Sequence, residues 1–172
     1  MKLLFIFCQL SLVSVFAASA FVKVRDVEEF VGQIRAATAP RIGNFSSSVA
    51  ALVIAAEFLT VSMLLTAPLA GFGLAVLLLT VFTAHLARVI RSGIQVSCGC
   101  TGTRSNTPVS GIQIIRNVLL AAFAIVGCLL AGTTVVELQV SHLLLLGPAA
   151  LFGLGVLHLQ EMKELLVDGL IP

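Results

Sequence analysis

A chain of 172 residues that is 59% hydrophobic and only 10% charged cannot cover its own surface for water, because soluble domains carry about 25% charged residues. Its formal charge of +2 is too small to suggest nucleic-acid binding. No nucleophile elbow, phosphate loop or paired catalytic carboxylates appear, so hydrolase or nucleotide-using chemistry finds no support.

Lipid is the solvent such a composition fits. A hydrocarbon core about 30 Å thick needs roughly 20 apolar residues of helix. Five runs meet that length: Leu3–Val22, Ser48–Thr66, Leu69–Ile90, Ile112–Ala131 and Leu138–Leu157. They do not alternate polar with apolar residues, which excludes a barrel reading and leaves helices to satisfy the backbone. The expected fold is all-α: a polytopic transmembrane helical bundle of four to five spans with one short amphipathic helix, forming a single membrane domain over residues 1–172. Trp and Tyr are absent, so the usual interfacial anchors are missing.

The first run has two readings. Lys2, the apolar stretch Leu3–Phe16 and the small residues Ala18-Ser19-Ala20 imitate a signal peptide, while the length suits a span. Beyond it, Val27, Phe30, Val31 and Ile34 recur at helical spacing, so Asp26–Ala37 reads as a short amphipathic helix whose polar side holds Glu28, Glu29 and Arg35. Pro40, Gly43 and Asn44 break it. Ser46, Ser47 and Ser48 offer N-caps for the second span.

Glu57 stands at the middle of that span. A carboxylate at such depth must be protonated, paired or turned to a polar cavity. Its candidate partners are His85, Arg88 and Arg116. It reads either as a proton-handling or quinone-adjacent group, or as a buried hydrogen bond that specifies the bundle. Ala67–Gly71 is a link so short that the second and third spans must be antiparallel neighbours. His85 and Arg88 share one face of the third span; Arg88 can snorkel to the interface, and His85 is either a satisfied core histidine or a catalyst.

The most polar segment follows, residues 92–111, containing Cys98-Gly99-Cys100. A disulfide wants Cα atoms about 4.4–6.8 Å apart, which a pair at i and i+2 meets only under strain. Strained, exposed disulfides exchange readily, and Arg91 and Arg104 lie close enough in sequence to favour thiolate. The pair is either a thiol–disulfide exchange centre or a structural closure of the loop. Zinc is disfavoured, since two thiolates with only His85 in reach fall short of its ligand set. Ser110 is placed to cap the fourth span, whose early turns carry Arg116-Asn117; that guanidinium can return to the loop carbonyls or to Glu57. Cys8 and Cys128 lie inside spans and read as packing residues. In the fifth run Gly147-Pro148 suggests a kink; His142 and His158 carry no motif, and the tail 160–172 is amphipathic.

The stretches Cys98-Gly99-Cys100-Thr101-Gly102 and Ile115-Arg116-Asn117-Val118-Leu119-Leu120 resemble the methylamine utilisation protein MauE family, relatives of the DoxX-like membrane proteins. Thr101 stands where that family usually has Phe. Lys23, Asp26, Phe30, Pro40, Glu57, Phe82 and Arg88 are similar too, and the resemblance covers roughly Leu3–Ala131. It implies that the first run is a retained span and that the protein sits in the bacterial cell membrane. It also implies a role in maturing a disulfide-containing client, as for the small subunit of methylamine dehydrogenase, alongside a thioredoxin-like protein. On that reading Cys98 and Cys100 form the redox pair, supported by Glu57 and Arg116. No cofactor is fixed by the sequence, although electrons passing to or from a membrane quinone would suit the role. The competing readings are a non-enzymatic assembly scaffold and a small transporter built on Glu57. Counting basic residues puts the cysteine segment on the cytoplasmic side, whereas the resemblance implies contact with an extracytoplasmic partner.

Overall fold

The computed structural model describes residues 2–37, 45–92 and 111–131, with Gly147, Pro148, Leu151 and Gly155 as isolated helical positions. Five helices run through the three continuous stretches: α1 (Lys2–Arg25), α2 (Val27–Ala37), α3 (Ser46–Thr66), α4 (Pro68–Arg91) and α5 (Gly111–Ala131). No strand occurs among the described residues. α1, α3, α4 and α5 are each long and apolar enough to cross a membrane, and α2 is the short amphipathic helix. The fifth expected span, the cysteine segment with Cys98 and Cys100, Ser110, His142, His158 and the tail lie outside the described residues apart from the isolated positions named.

Each spanning helix presents one buried stripe. On α3 it runs Ser46, Ala50, Glu57, Thr60, Leu64; on α4 Gly71, Phe72, Ala75, Leu79, Leu86, Val89; on α5 Gln113, Arg116, Asn117, Leu120, Ala124, Gly127. These are the steps of three, four and seven that keep side chains on one face of a helix. The outward faces carry Leu52, Phe58, Leu77, Leu119 and Leu129, all exposed, as lipid contact allows. α3 begins at Ser46, with Phe45 in the N-cap position and no side-chain cap. The three serines therefore form the first helical turn and do not cap it.

α1 is the central element. In its most apolar stretch 44% is buried, against 22–28% in the other three, and it packs on α3, α4 and α5. Its contacts fix the direction of each pairing. Gln9 donates to the Leu64 carbonyl, while Ser19 meets Glu57, so α1 and α3 are antiparallel. Phe7 meets Phe123, and Val15 and Ser19 share a cavity with Arg116, so α1 and α5 are antiparallel as well. The segment that imitates a signal peptide is thus the bundle's core.

Lipid gives little hydrophobic drive between helices, and close contact through small residues supplies the attraction instead. Gly71 lies so near the backbone of Met63 and Leu64 that a Cβ there would collide, which lets α4 fold straight back on α3. Gly127 lies beneath the Phe72 ring, where a Cβ would also collide. Phe72 in turn meets Phe5 edge-on at 5.6 Å between centroids. α2 leaves α1 at Asp26, half-buries Phe30, Val31 and Ile34, exposes Glu28, Glu29 and Arg35, and packs on α3.

Candidate functional site

The polar residues inside the bundle gather where α1 ends. Lys23 sits in the last turn of α1, two residues before its end, and is 3% exposed. Its Nζ donates to Glu57 Oε1 at 2.5 Å and to Ser19 Oγ at 2.6 Å. Ser19 Oγ donates to the same Glu57 oxygen at 3.2 Å, closing a three-member network between α1 and α3. The ammonium also lies 5.5 Å from the centre of the Phe30 ring and 5.6 Å from that of Phe82, within the range of cation–π attraction. One lysine therefore binds α1, α2, α3 and α4 together. A buried lysine and a buried carboxylate would each be costly alone; paired and hydrogen-bonded, both can keep their charge.

A small cavity of about 40 Å³ adjoins the pair, lined by Ser19, Lys23, Glu57, Phe82, Arg116 and Asn117 among others. Arg116 and Asn117 are 7% and 4% exposed. They come from the second turn of α5, which places Arg116 about 7.5 Å of helical rise from Gly111. The Arg116 Nε–H has no hydrogen-bond partner among the described residues. Among those residues no three His, Cys, Asp or Glu side chains converge as metal ligands would; what converges is two cations, one carboxylate, a hydroxyl and an amide.

The structure brings together two of the four expected site residues, Glu57 and Arg116. Cys98 and Cys100 lie outside the described residues. Of the three partners expected for Glu57, His85 and Arg88 are exposed on the outer face of α4, and Arg116 shares the cavity without coming within ion-pair distance. The actual partner, Lys23, is missed by sequence reasoning because it reads as a juxtamembrane charge at the end of a span. The signal that could have found it is arithmetic: a buried carboxylate needs a cation, and Lys23 with Ser19 one turn earlier presents two donors on one helical face. Lys23 also drops out of the count of solvent-facing basic residues used for orientation. Cys8 is fully buried and Cys128 half-buried, both as free thiols, in keeping with packing roles.

The comparisons with known proteins give the family. The sequence profile of the family described as "Methylamine utilisation protein MauE" matches residues 1–130. A protein of Paracoccus denitrificans named "Methylamine utilization protein MauE" is 38% identical over 114 residues. That match takes in 64% of this chain, and the chain spans 60% of the relative's length. No solved structure matches. The chain belongs to the MauE family, and with four membrane-spanning helices it is a multi-pass membrane protein of bacterial type. The span of the profile, residues 1–130, includes Ser19, Lys23, Glu57, Phe82 and Arg116.

Proposed function

We propose that this chain is a membrane thiol–disulfide component that helps a disulfide-containing client protein mature, within methylamine utilisation as its family's description has it. The observation that carries the reading is the Cys98-Gly99-Cys100 pair in a segment that joins α4 to α5, the helix whose second turn contributes Arg116 to the buried charge cluster. A client thiolate attacks one sulfur of the Cys98–Cys100 disulfide and forms a mixed disulfide. A second client thiolate displaces it. The client gains a disulfide, and Cys98 and Cys100 leave as two thiols carrying the two electrons. A thioredoxin-like partner in its disulfide form, or a membrane quinone, takes those electrons and restores the pair. Glu57 and Lys23 hold the helices that frame this segment, and Arg116 sits beside them as its positioning residue.

A scaffold role for the bundle draws on a different observation: the Lys23 network ties four helices and is well suited to rigidity alone. Transport built on Glu57 has less to stand on, because Lys23 neutralises the carboxylate that motivated it. The decisive experiment measures client disulfides in cells making Cys98→Ser, Cys100→Ser or the double variant, with membrane levels of each confirmed by blotting. Loss of client oxidation in both single variants supports the redox reading. Full maturation with the double variant leaves the scaffold in its place. Labelling with a membrane-impermeant alkylating reagent, before and after reduction, reports which side the thiols face and whether they are oxidised.

A further inference from the structure

The outer face of α4 carries polar residues where lipid is expected. His85 and Arg88 are exposed there, one turn apart, on the side turned away from α1, α3 and α5. Neither has a hydrogen-bond or ion-pair partner among the described residues. Ionisable groups in spanning helices ordinarily face the bundle interior or a water-filled cavity, and an N–H donor left in hydrocarbon is costly. The 24 residues of α4 rise about 36 Å, so a hydrocarbon core of about 30 Å leaves roughly 3 Å of helix beyond each boundary. The His85 Cα stands about 9 Å of rise from Arg91, roughly 6 Å inside that boundary. Arg88 starts nearer the surface, but helical Cα–Cβ bonds tilt toward the N-terminus. At this end of α4 that tilt carries a side chain inward, toward the level of His85.

Depth decides between ligands. Lipid phosphates lie outside the hydrocarbon, within reach of Arg88 and Arg91 and beyond that of His85. A ligand that engages His85 and Arg88 together dissolves in the hydrocarbon and offers oxygen acceptors to two N–H donors. The same face exposes Leu77, Val81 and Ala84, an apolar track for a flat ring and its hydrocarbon tail. We propose that this face of α4 seats the head ring of a lipid-soluble quinone, whose carbonyl oxygens accept from His85 and Arg88. The electron source rests on the thiol–disulfide reading: Cys98 follows Arg91 by seven positions, a leash of at most about 25 Å. Two S–H bonds of Cys98 and Cys100 break and one S–S bond forms. The two electrons and two protons released turn the quinone carbonyls into the two hydroxyls of the quinol.

The test uses the full chain in phosphatidylcholine nanodiscs and a photoreactive azido-ubiquinone as probe. Label maps to the α4 peptide, and a short-chain ubiquinone displaces it. His85→Leu and Arg88→Gln each raise the probe concentration for half-maximal labelling about tenfold, the loss of one hydrogen bond, while Arg91→Gln leaves it unchanged. The Cys98→Ser, Cys100→Ser double variant labels like the parent, so the site is read independently of the thiols. The reduced parent then converts ubiquinone to quinol, and the double variant does not. No label on α4, as when protein covers that face, overturns the proposal. So does label that His85→Leu and Arg88→Gln leave unchanged, and so does displacement by phosphatidylglycerol, which assigns the face to an anionic headgroup. Displaceable label on α4 without quinol from the reduced parent withdraws the thiols as electron donors and leaves the quinone site in place.

Discussion

The first half of α1 buries Phe5, Ile6, Cys8 and Leu12 against Phe72, Leu64 and neighbouring apolar side chains, with glycines letting the partners close in. The second half sets half-buried Ser19 and buried Lys23 against Glu57, beside Arg116 and Asn117. One end is held by contact of shapes with a single hydrogen bond, from Gln9 to the Leu64 carbonyl, and the other by a charge network. In lipid the two differ in what they specify. Shape contact tolerates small slides between helices, because one apolar surface resembles the next. The ion pair has one register only, since moving α3 by a turn takes Glu57 about 5.4 Å from Lys23. The polar end sets alignment, and the apolar end fills it.

That contrast is open to attack from both sides. The largest effect is expected at the polar end. Lys23→Ala strands the Glu57 carboxylate, and breaking a buried pair in this way costs about 3–5 kcal/mol. The double variant Lys23→Met with Glu57→Leu is expected to recover most of that loss, because neither charge is left alone. Detergent-denaturation curves of the single and double variants check this, and equal losses in both would put the cost down to packing. At the apolar end, Gly127→Val drives into the Phe72 ring, an overpacking cost of about 1–3 kcal/mol. Phe72→Ala in the same background makes room and should relieve part of it. The smallest effect is Phe82→Leu, which removes one cation–π contact of Lys23 and keeps the volume nearly filled. About 0.5–2 kcal/mol is expected, with no change on making the same substitution in a Lys23→Met background. His85→Ala, on the exposed face of α4, serves as the reference with a change inside about ±0.5 kcal/mol.

The helical membrane fold was legible because length and uninterrupted hydrophobicity are local properties. α1, α3, α4 and α5 appear within a few residues of four of the apolar runs, and α2 is where its period of Val27, Phe30, Val31 and Ile34 puts it. Glu57 was legible as a residue in need of a partner, for a carboxylate inside an apolar run is conspicuous by itself. Its partner was not, because the choice among Lys23, His85, Arg88 and Arg116 depends on which helix faces which, and periodicity does not settle helix order in a bundle. Lys23 was disguised by its position at a helix end, where an outward-pointing lysine is the ordinary case. His85 and Arg88 misled for the converse reason: they lie on a spanning helix, but on the face turned away from its neighbours.

The 34 residues separating Lys23 from Glu57 also impose a sequence in time. At synthesis rates of about 5–20 residues per second, the ribosome needs roughly 2–7 s to add the second after the first. Throughout that interval α1 exists without the carboxylate that pairs its ammonium, and a lysine near a helix end lowers its cost by reaching toward the headgroups. Once α3 is in the bilayer, Glu57 supplies the pairing, so the final placement of α1 depends on a helix made after it.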